Sequence, residues 1–373
     1  MSPQVEAAII ASGVGVLTLI GTLVVQFYGI RRTSRDTEKT LGEQGKQLDR
    51  TLAEQRTRTM NERFATAADQ LGSDKPPIRL AGVYAMAGLA DDWEENRQIC
   101  VDVLCAYLRM PYEPDPGQDA PEPQRLAFQA IREVRHTVIR VITVHLRKDM
   151  DAAKSWQGLN FDFTGVVFDG GDFTEAHFSG GTVFFSGAQF SGDAVDFTGA
   201  QFSGGKIYFN RSQVSDGMLD FTSTQFSGSE IYFNAAQFSG RMVSFIKAQF
   251  SGSEIYFAGT QFSVGLNSFS EAHFSGGEVD FGLAQFSGGE VSFGGAQFSG
   301  GTVSFRGAQF SGSRVDFTRT LSDDTGDLIE TQFSGGKVDF SDVGDWSFPP
   351  KFAWTKTPPS GVKLPMKEDQ SQA

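Results

Sequence analysis

Ala296-Gln-Phe-Ser-Gly-Gly-Thr-Val-Ser-Phe-Arg-Gly307 is one copy of a 12-residue unit. Twelve such units follow one another without a gap from Ala176 to Arg319, and a thirteenth covers Thr331–Asp342 after an 11-residue interruption. A short fixed period of this kind predicts a solenoid, in which each unit buries its apolar face only against its neighbours. The repeat therefore indicates the architecture before any single residue is considered.

The apolar residues of the unit come in two pairs. In one copy they are Ala284 with Phe286 and Val291 with Phe293. The members of a pair are two residues apart, so in an extended strand both point to the same side. Glycines separate the pairs, and glycine tolerates the positive φ angles that corners require. We therefore expect two short strands and two corners in each unit.

The segment just upstream has a five-residue spacing. Its central residues are Phe163, Phe168, Phe173 and Phe178, and the residues two positions before them are Phe161, Val166, Gly171 and Ala176. This pattern resembles the pentapeptide-repeat proteins, in which a central Phe or Leu and a small residue two before it fill a right-handed, four-sided parallel β-helix. By that resemblance a 12-residue unit is one five-residue side plus one side lengthened by two glycine-rich residues.

Two units would then make a 24-residue coil, and a two-sided coil of 12 residues is the alternative. A two-sided core is thin and suits Ala, Ser or Cys, whereas each unit here carries two Phe. Tyrosine recurs every 24 residues, at Tyr208, Tyr232 and Tyr256, each time within Ile-Tyr-Phe. The same step separates three glutamates, Glu230, Glu254 and Glu278. We therefore expect 24-residue coils, preceded by one 20-residue coil.

The N-terminal segment is apolar. Residues 7–30 contain no charged side chain, and roughly 20 apolar residues span a bilayer. A cleaved signal peptide is the rival interpretation, but such a peptide starts with a basic region, whereas only Glu6 precedes this run. Arg31, Arg32 and Arg35 follow it, and positive charge stays on the cytoplasmic side. The prediction is a single-pass cell-membrane protein with its N-terminus outside and the bulk of the chain in the cytoplasm.

The pattern between this segment and the repeats is helical. Residues 33–60 are highly charged, with Leu41, Leu48 and Leu52 at a rough heptad spacing, which predicts a helical stalk or a short coiled coil. The run RFATAADQLGSDKPPIRLAGVYA, residues 63–85, resembles the helical segment that precedes the repeats in membrane-anchored bacterial pentapeptide-repeat proteins. That resemblance assigns the run no function. Cys100 and Cys105 lie in an apolar helical stretch, which suits a reducing compartment and a place in the core.

The predicted organisation has seven segments. They are a transmembrane anchor at 1–32, a charged helical stalk at 33–60, an α-helical module at 61–110, a proline-rich linker at 111–123, a helix capping the rod at 124–157, the β-helix at 158–345, and a C-terminal cap with a disordered tail at 346–373. The caps are expected because an uncovered coil end is an adhesive sheet edge. Aromatic residues are expected to form the second cap, namely Trp346, Phe348, Phe352 and Trp354.

No active site is apparent. The four histidines are His136, His145, His177 and His273, and none has Cys or carboxylate neighbours at ligand spacing. His177 and His273 are four coils apart, or about 19 Å at the usual strand spacing, so they cannot share a metal. No glycine-rich loop joins a strand to a helix, and the Ser-Gly pairs have no positioned histidine. We expect no enzymatic activity, no cofactor and no metal.

Charge is concentrated in the repeats. Residues 160–345 hold 22 acidic and 8 basic side chains, which accounts for essentially all of the chain's net charge of −13. Solubility is the first interpretation of an acidic surface. The resemblance implies a second, because some pentapeptide-repeat proteins are acidic rods shaped like duplex DNA that occupy the DNA-binding surface of gyrase. A regulator or inhibitor that mimics DNA toward a topoisomerase-like enzyme is therefore the alternative function. Without a basic patch, no direct nucleic acid binding is expected.

Tyr208, Tyr232 and Tyr256 form the candidate interaction surface. Each lies between two inward residues and therefore faces outward, about 4.8 Å from the next along the stack. An exposed aromatic column can bind a partner, since tyrosine is enriched at interfaces. The alternative is that the stacked rings only stabilise the sheet. The predicted function is a non-enzymatic, membrane-tethered scaffold for an unidentified protein partner. The insert at 320–330, which breaks the repeat, is the other place where function is expected.

Overall fold

The computed structural model describes residues 3–113, 115–321, 326–354 and 357–366, without the side chains of 3–20, 28–38 and 40. The chain divides into two compact units, residues 1–63 and 64–373. From Pro3 the first unit is part of one helix, α1, which runs from Pro3 to Leu71. The last residues of this helix, 64–71, belong to the second unit.

The helix of the first unit exposes its apolar residues. Leu41, Leu48 and Leu52 are 60%, 59% and 53% exposed. A Cβ at Gly42 or Gly45 would meet no atom within 4 Å, so the helix continues through both glycines without close packing. Among the helices whose side chains the structure describes, none has an apolar stretch long enough to cross a bilayer. Most of the predicted span at 7–30 lies outside those residues, because side chains are described only at 21–27.

The second unit begins with a small helical layer. The end of α1 approaches α2 (Pro76–Asp92) at Gly82, and α2 packs with a 3₁₀ turn (Glu94–Asn96) and with α3 (Arg97–Arg109). A Cβ at Gly82 would lie 2.7 Å from the backbone nitrogen of Leu71, so this glycine permits the close approach of α2 to α1. Cys100 and Cys105 are fully buried in this layer, and neither forms a disulfide.

Helix α4 (Glu122–Leu146) and α3 cover the first coil of the solenoid. Their side chains hydrogen-bond the coil's backbone carbonyls: Arg135 donates to Val167 O at 2.7 Å and Thr143 to Asp172 O at 2.7 Å. Gln98 of α3 donates to Asn160 O at 2.8 Å. The edge of a sheet presents unpaired backbone groups that are costly to bury without partners. The two helices supply those partners.

Asp169 anchors α4 to the first coil. Its carboxylate accepts hydrogen bonds from Arg132 Nε at 2.9 Å and Tyr112 OH at 2.6 Å, and lies 3.0 Å from His136 Nε2. Burial alone would raise the pKa of Asp169, but these hydrogen bonds and the neighbouring positive charge lower it to about 2. The charged carboxylate is therefore strongly favoured in the folded state.

Three parallel sheets build the solenoid. The 12-stranded first sheet contains Phe161–Asp162, His177–Ser179, Thr182–Phe184, Gln201–Tyr208, Gln225–Tyr232, Gln249–Ser251, Ser253–Tyr256, His273–Asp280, Gln297–Ser304, Gln332–Phe333, Lys337–Asp339 and Val362–Lys363. The 7-stranded second sheet contains Val167–Phe168, Gln189–Phe190, Gln213–Val214, Gln237–Phe238, Gln261–Phe262, Gln285–Phe286 and Gln309–Phe310. The 8-stranded third sheet contains Gly171–Asp172, Val195–Asp196, Met218–Asp220, Met242–Ser244, Leu266–Ser268, Glu290–Ser292, Arg314–Phe317 and Lys351–Phe352.

The strand register confirms the 24-residue coil. Tyr208 pairs with Tyr232, and Tyr232 pairs with Tyr256. The prediction of a 20-residue first coil was wrong by two residues, because Phe161 pairs with Val183, 22 positions on. The two additional residues are Gly180 and Gly181, which lie at a corner with positive φ and are not part of the five-residue spacing.

The corners differ from the prediction of two strands in every unit. In four of the alternate units the chain stays in the ladder through this corner, and Gln201–Tyr208 is one such eight-residue strand. Gly204 and Gly205 bend inside that strand at φ +64° and +106°. A Cβ on Gly205 would lie 2.4 Å from Gly181 O in the preceding coil, so the strand turns where only glycine fits. Two of the four predicted sides are thereby joined in one sheet.

Phenylalanine fills the interior. Phe257 is fully buried and stacks on Phe233 and Phe281, with ring centroids 4.8 and 4.7 Å apart. Its edge contacts, to Phe245 and Phe269, are at 5.8 Å with nearly perpendicular planes. Offset stacks and edge contacts are both favoured by the aromatic quadrupole. The core is thus a continuous set of ring columns along the solenoid axis.

The insert forms an antiparallel hairpin, Arg319–Leu321 with Leu328–Glu330, and its tip at 322–325 lies outside the described residues. Thr320 and Ile329 lie over Gly295, where a Cβ would approach each of them within 3.2 Å. Beyond the last repeat, Lys351–Phe352 and Val362–Lys363 extend the third and first sheets. Trp346 and Trp354 pack on the last inward rings, with centroids 5.3 Å from Phe310 and 4.4 Å from Phe352, respectively.

Candidate interaction surface

The predicted tyrosines form one continuous stack on the outside of the first sheet. The centroids of Tyr208 and Tyr232 are 5.1 Å apart, as are those of Tyr232 and Tyr256, and the ring planes are within 12° of parallel. In each Ile-Tyr-Phe triplet the two flanking residues are buried, so the backbone alternation holds every tyrosine outward. The tyrosines are half-buried because each ring covers the next.

Sequence reasoning missed a fourth ring. Phe184 stacks on Tyr208 at 5.3 Å and occupies the paired position one coil earlier. Phe184 lies 24 residues before Tyr208, and this spacing could have revealed it. The triplet there is Val-Phe-Phe, however, and not Ile-Tyr-Phe. We call the set Phe184, Tyr208, Tyr232 and Tyr256 the ring column.

A second outward column runs beside the ring column, two residues earlier in each strand. It contains Lys206, Glu230, Glu254 and Glu278 in successive register. Tyr232 OH donates to Glu230 at 2.6 Å, and Tyr256 OH donates to Glu254 at 2.9 Å. These hydrogen bonds to a carboxylate, with some burial, raise the pKa of Tyr232 and Tyr256 to about 12. Both phenols therefore stay neutral and keep donating.

Lys206 neutralises one end of this carboxylate column. Its Nζ lies 2.7 Å from Glu230 Oε2. The hydrogen bond raises the pKa of Lys206 and lowers that of Glu230. Both side chains are open to water, so the pair fixes geometry rather than adding much stability.

Many of the acidic residues have a local structural role. Eight aspartates of the solenoid accept a hydrogen bond from the backbone N–H two residues later, namely Asp162, Asp172, Asp196, Asp220, Asp280, Asp316, Asp339 and Asp345. Such bonds hold the corner that follows each Val-Asp-Phe or equivalent strand. Net negative charge is therefore partly a consequence of how the corners are made.

The histidines are not brought together. His177 and His273 stand in the same outward column of the first sheet, with three rungs between them. His136 contacts Asp169, and His145 stacks on Trp156 at 4.1 Å inside the helical layer. Within the described residues, no group of three or more His, Cys, Asp or Glu side chains is placed to hold a metal ion.

Among the open grooves of the described residues, two lie beside the hairpin and beside the proline-rich linker. One, of about 330 Å³, lies beside the hairpin and is lined by Lys247, Glu271, His273 and Ile329 among others. The other, of about 290 Å³, lies between the proline-rich linker and α4 and is lined by Tyr112, Phe128 and Ile131 among others. Neither groove draws together the members of the ring column.

Comparison with known proteins identifies the repeat. Residues 163–213 match the family model of pentapeptide repeats, in nine copies. The match covers most of the five-residue segment and the first three of the 12-residue units, and the structure shows that the later units continue the same parallel solenoid. No curated protein and no solved structure matches the chain. Residues 163–213 thus carry pentapeptide repeats, and the chain folds as a β-solenoid of about eight coils, while the resemblance to membrane-anchored bacterial relatives stays a prediction.

Proposed function

We propose that the protein is a non-enzymatic interaction scaffold whose solenoid offers the ring column and its carboxylate neighbours to a protein partner. The observation that carries the proposal is the four-ring stack, half-exposed on the first sheet where later coils have Asp280 and Ser304. Tyrosine contributes large contact area at interfaces with little loss of side-chain freedom.

Rigidity favours the proposal. The ring column stands on strands that are hydrogen-bonded to their neighbours on both sides. The hydroxyls of Tyr232 and Tyr256 each donate a hydrogen bond to a glutamate. A surface held in this way loses little conformational entropy when it binds. The same regularity argues against catalysis, because its polar groups recur along an axis instead of converging from several elements on one point.

Affinity capture from the source cells tests the proposal. Tyr208, Tyr232 and Tyr256 are replaced together by Ser, the residue that Ser304 already provides in this column. A matched variant replaces the outward Gln189, Gln213 and Gln237 of the second sheet by Ser. We expect a protein that is retained by the wild type and the glutamine variant and lost with the tyrosine variant. Identical capture by all three folded proteins would refute the proposal.

Tethering to a membrane is part of the same proposal. Its support is the uncharged apolar run at 7–30, followed by three arginines within five residues. We expect the full chain to stay in the membrane fraction after carbonate washing, and the chain without residues 1–32 to be released. A reporter fused after Arg35 should be active only in its cytoplasmic form. Release of the full chain, or periplasmic activity of the reporter, would refute the tether or its orientation.

DNA mimicry is the alternative, and its support is the acidic charge of the solenoid alone. The solenoid would have to compete with duplex DNA for a topoisomerase. A supercoiling assay with excess protein separates the two functions, because the scaffold predicts no inhibition.

A further inference from the structure

Three of the six carboxylates in the two outward columns of the first sheet have a cation from the chain itself. Arg109 binds Asp162, Lys206 binds Glu230 at 2.7 Å, and Lys363 binds Asp339 at 3.2 Å. Three carboxylates are different: Glu254, Glu278 and Asp280. Within the described part of the chain no Lys or Arg forms an ion pair with any of these three, although Tyr256 donates to Glu254.

These three carboxylates surround the end of the ring column. Tyr256 stacks on Tyr232 on one side, and on its other side the paired residue is Asp280, which has no ring. One face of Tyr256 therefore lacks an aromatic neighbour. Glu254 and Glu278 are direct register partners, and like charges opposite each other on adjacent strands are destabilising. A cation at this point would relieve the repulsion and meet an aromatic face.

The other end of the same column shows which cation such a place accepts. Phe184 is the first ring, and its paired residue one coil earlier is Asp162. The guanidinium of Arg109, from α3, binds the carboxylate of Asp162 and donates to its backbone oxygen at 3.0 Å. An aspartate therefore borders the ring column at both ends, at Asp162 and at Asp280. Of the residues that the structure describes, Arg109 pairs with the first of these aspartates, and no Lys or Arg forms an ion pair with the second.

We propose that the Tyr256 end of the ring column binds an arginine side chain from a basic segment of the protein partner. This inference rests on the proposed function, and it names the chemistry of the partner. Arginine fits better than lysine, because its planar guanidinium bonds carboxylates with two parallel donors and also stacks on aromatic rings. The position of the Asp280 carboxylate is fixed by the corner hydrogen bond that its Oδ1 accepts from the backbone N–H of Gly282 at 2.9 Å, as in the other corner aspartates.

Peptide binding to the full chain tests the inference. The probes are two fluorescein-labelled peptides in which Gly-Ser alternates with a basic residue. One peptide contains three arginines and the other three lysines. Their binding is measured by fluorescence anisotropy at physiological salt. The site variant is Glu254→Gln, Glu278→Gln and Asp280→Asn. The matched variant removes the same amount of negative charge away from the first sheet, with Asp196→Asn, Asp216→Asn and Asp220→Asn. Asparagine can keep the corner hydrogen bonds that Asp196 and Asp220 accept.

We expect the arginine peptide to bind the wild type more tightly than the lysine peptide does. The site variant should weaken its binding about tenfold or more, as expected for charge-assisted hydrogen bonds, whereas the matched variant should change it about twofold, as expected for screened distant charge. Tyr256→Ser should weaken binding about fivefold, and Tyr256→Phe, which keeps the ring, should retain most of it. Circular dichroism establishes that each variant is folded.

Equal losses in the two triple variants would overturn the inference, because binding would then be diffuse attraction to an acidic protein. No measurable binding by the wild type, or equal binding of both peptides, would also overturn it. These results leave the proposed function standing if the tyrosine-dependent capture described above is observed, because that experiment uses no peptide.

Discussion

Replacing one inward phenylalanine tests the ring core quantitatively. Phe257 has no exposed surface and contacts four rings at 4.7 to 5.8 Å. Phe→Ala changes in cores cost about 3–5 kcal/mol, through lost burial and the cavity left behind. Parallel strands above and below fix the backbone, so the cavity cannot collapse. We therefore expect Phe257→Ala to lose about 4–5 kcal/mol of unfolding free energy.

Phe184→Ala is the matched control, because it removes the same side chain from the outward position of the first sheet. Phe184 is half-buried and stacks on one ring, Tyr208. Cross-strand aromatic pairs contribute about 0.2–1 kcal/mol, so we expect a loss of about 1 kcal/mol. Urea denaturation followed by far-UV circular dichroism measures both. A loss of about 1 kcal/mol or less at Phe257, or equal losses at the two positions, would refute the inward and outward assignment.

Three further predictions concern single residues. Gly277→Ala should lose about 2 kcal/mol or more in thermal denaturation, because Gly277 has φ +77° and a Cβ would lie 2.0 Å from Ser253 O; an unchanged melting temperature would contradict the close contact. In the folded state the pKa of Asp169 is lowered from 3.8 to about 2. The ionised carboxylate therefore contributes stability that is present above about pH 4 and is lost as the pH falls toward 2. Acid titration of the wild type against Asp169→Asn should show a difference of about 1–2 kcal/mol that shrinks across that window, after allowance for solvent screening, and a constant difference would contradict it. Burial raises the pKa of the Cys105 thiol to about 12, so it should resist thiol reagents near neutral pH until urea unfolds the chain; rapid labelling of the folded protein would show that the thiol is accessible.

The coil length was predictable from the sequence because it is a property of repetition. Two features with a 24-residue step, the tyrosines and the glutamates, excluded a 12-residue coil, and the register of Tyr208, Tyr232 and Tyr256 agrees. The corner geometry was not predictable in the same way. Gly204 and Gly205 permit either a break between strands or a bend within one, and the choice depends on hydrogen bonds to the preceding coil.

Only part of the candidate surface could be predicted from the sequence. The tyrosine column followed from its spacing, but Phe184 lies outside the Ile-Tyr-Phe triplet and was missed. The pairing of Arg109 with Asp162 joins residues 53 positions apart, from a helix and the first coil, and no periodicity connects them. The cation-free carboxylates around Tyr256 became recognisable only once the pairs elsewhere in the columns were known.

The most direct test of the interaction surface is a photo-crosslinking map in the source cells. A benzophenone amino acid is placed singly at outward positions on two faces: 232, 254 and 256 on the first sheet, and 213, 237 and 220 on the second and third sheets. We expect discrete protein adducts at 232, 254 and 256, strongest at 256, and none at the other three positions. Adducts of equal yield on every face, or only at 213, 237 and 220, would contradict it.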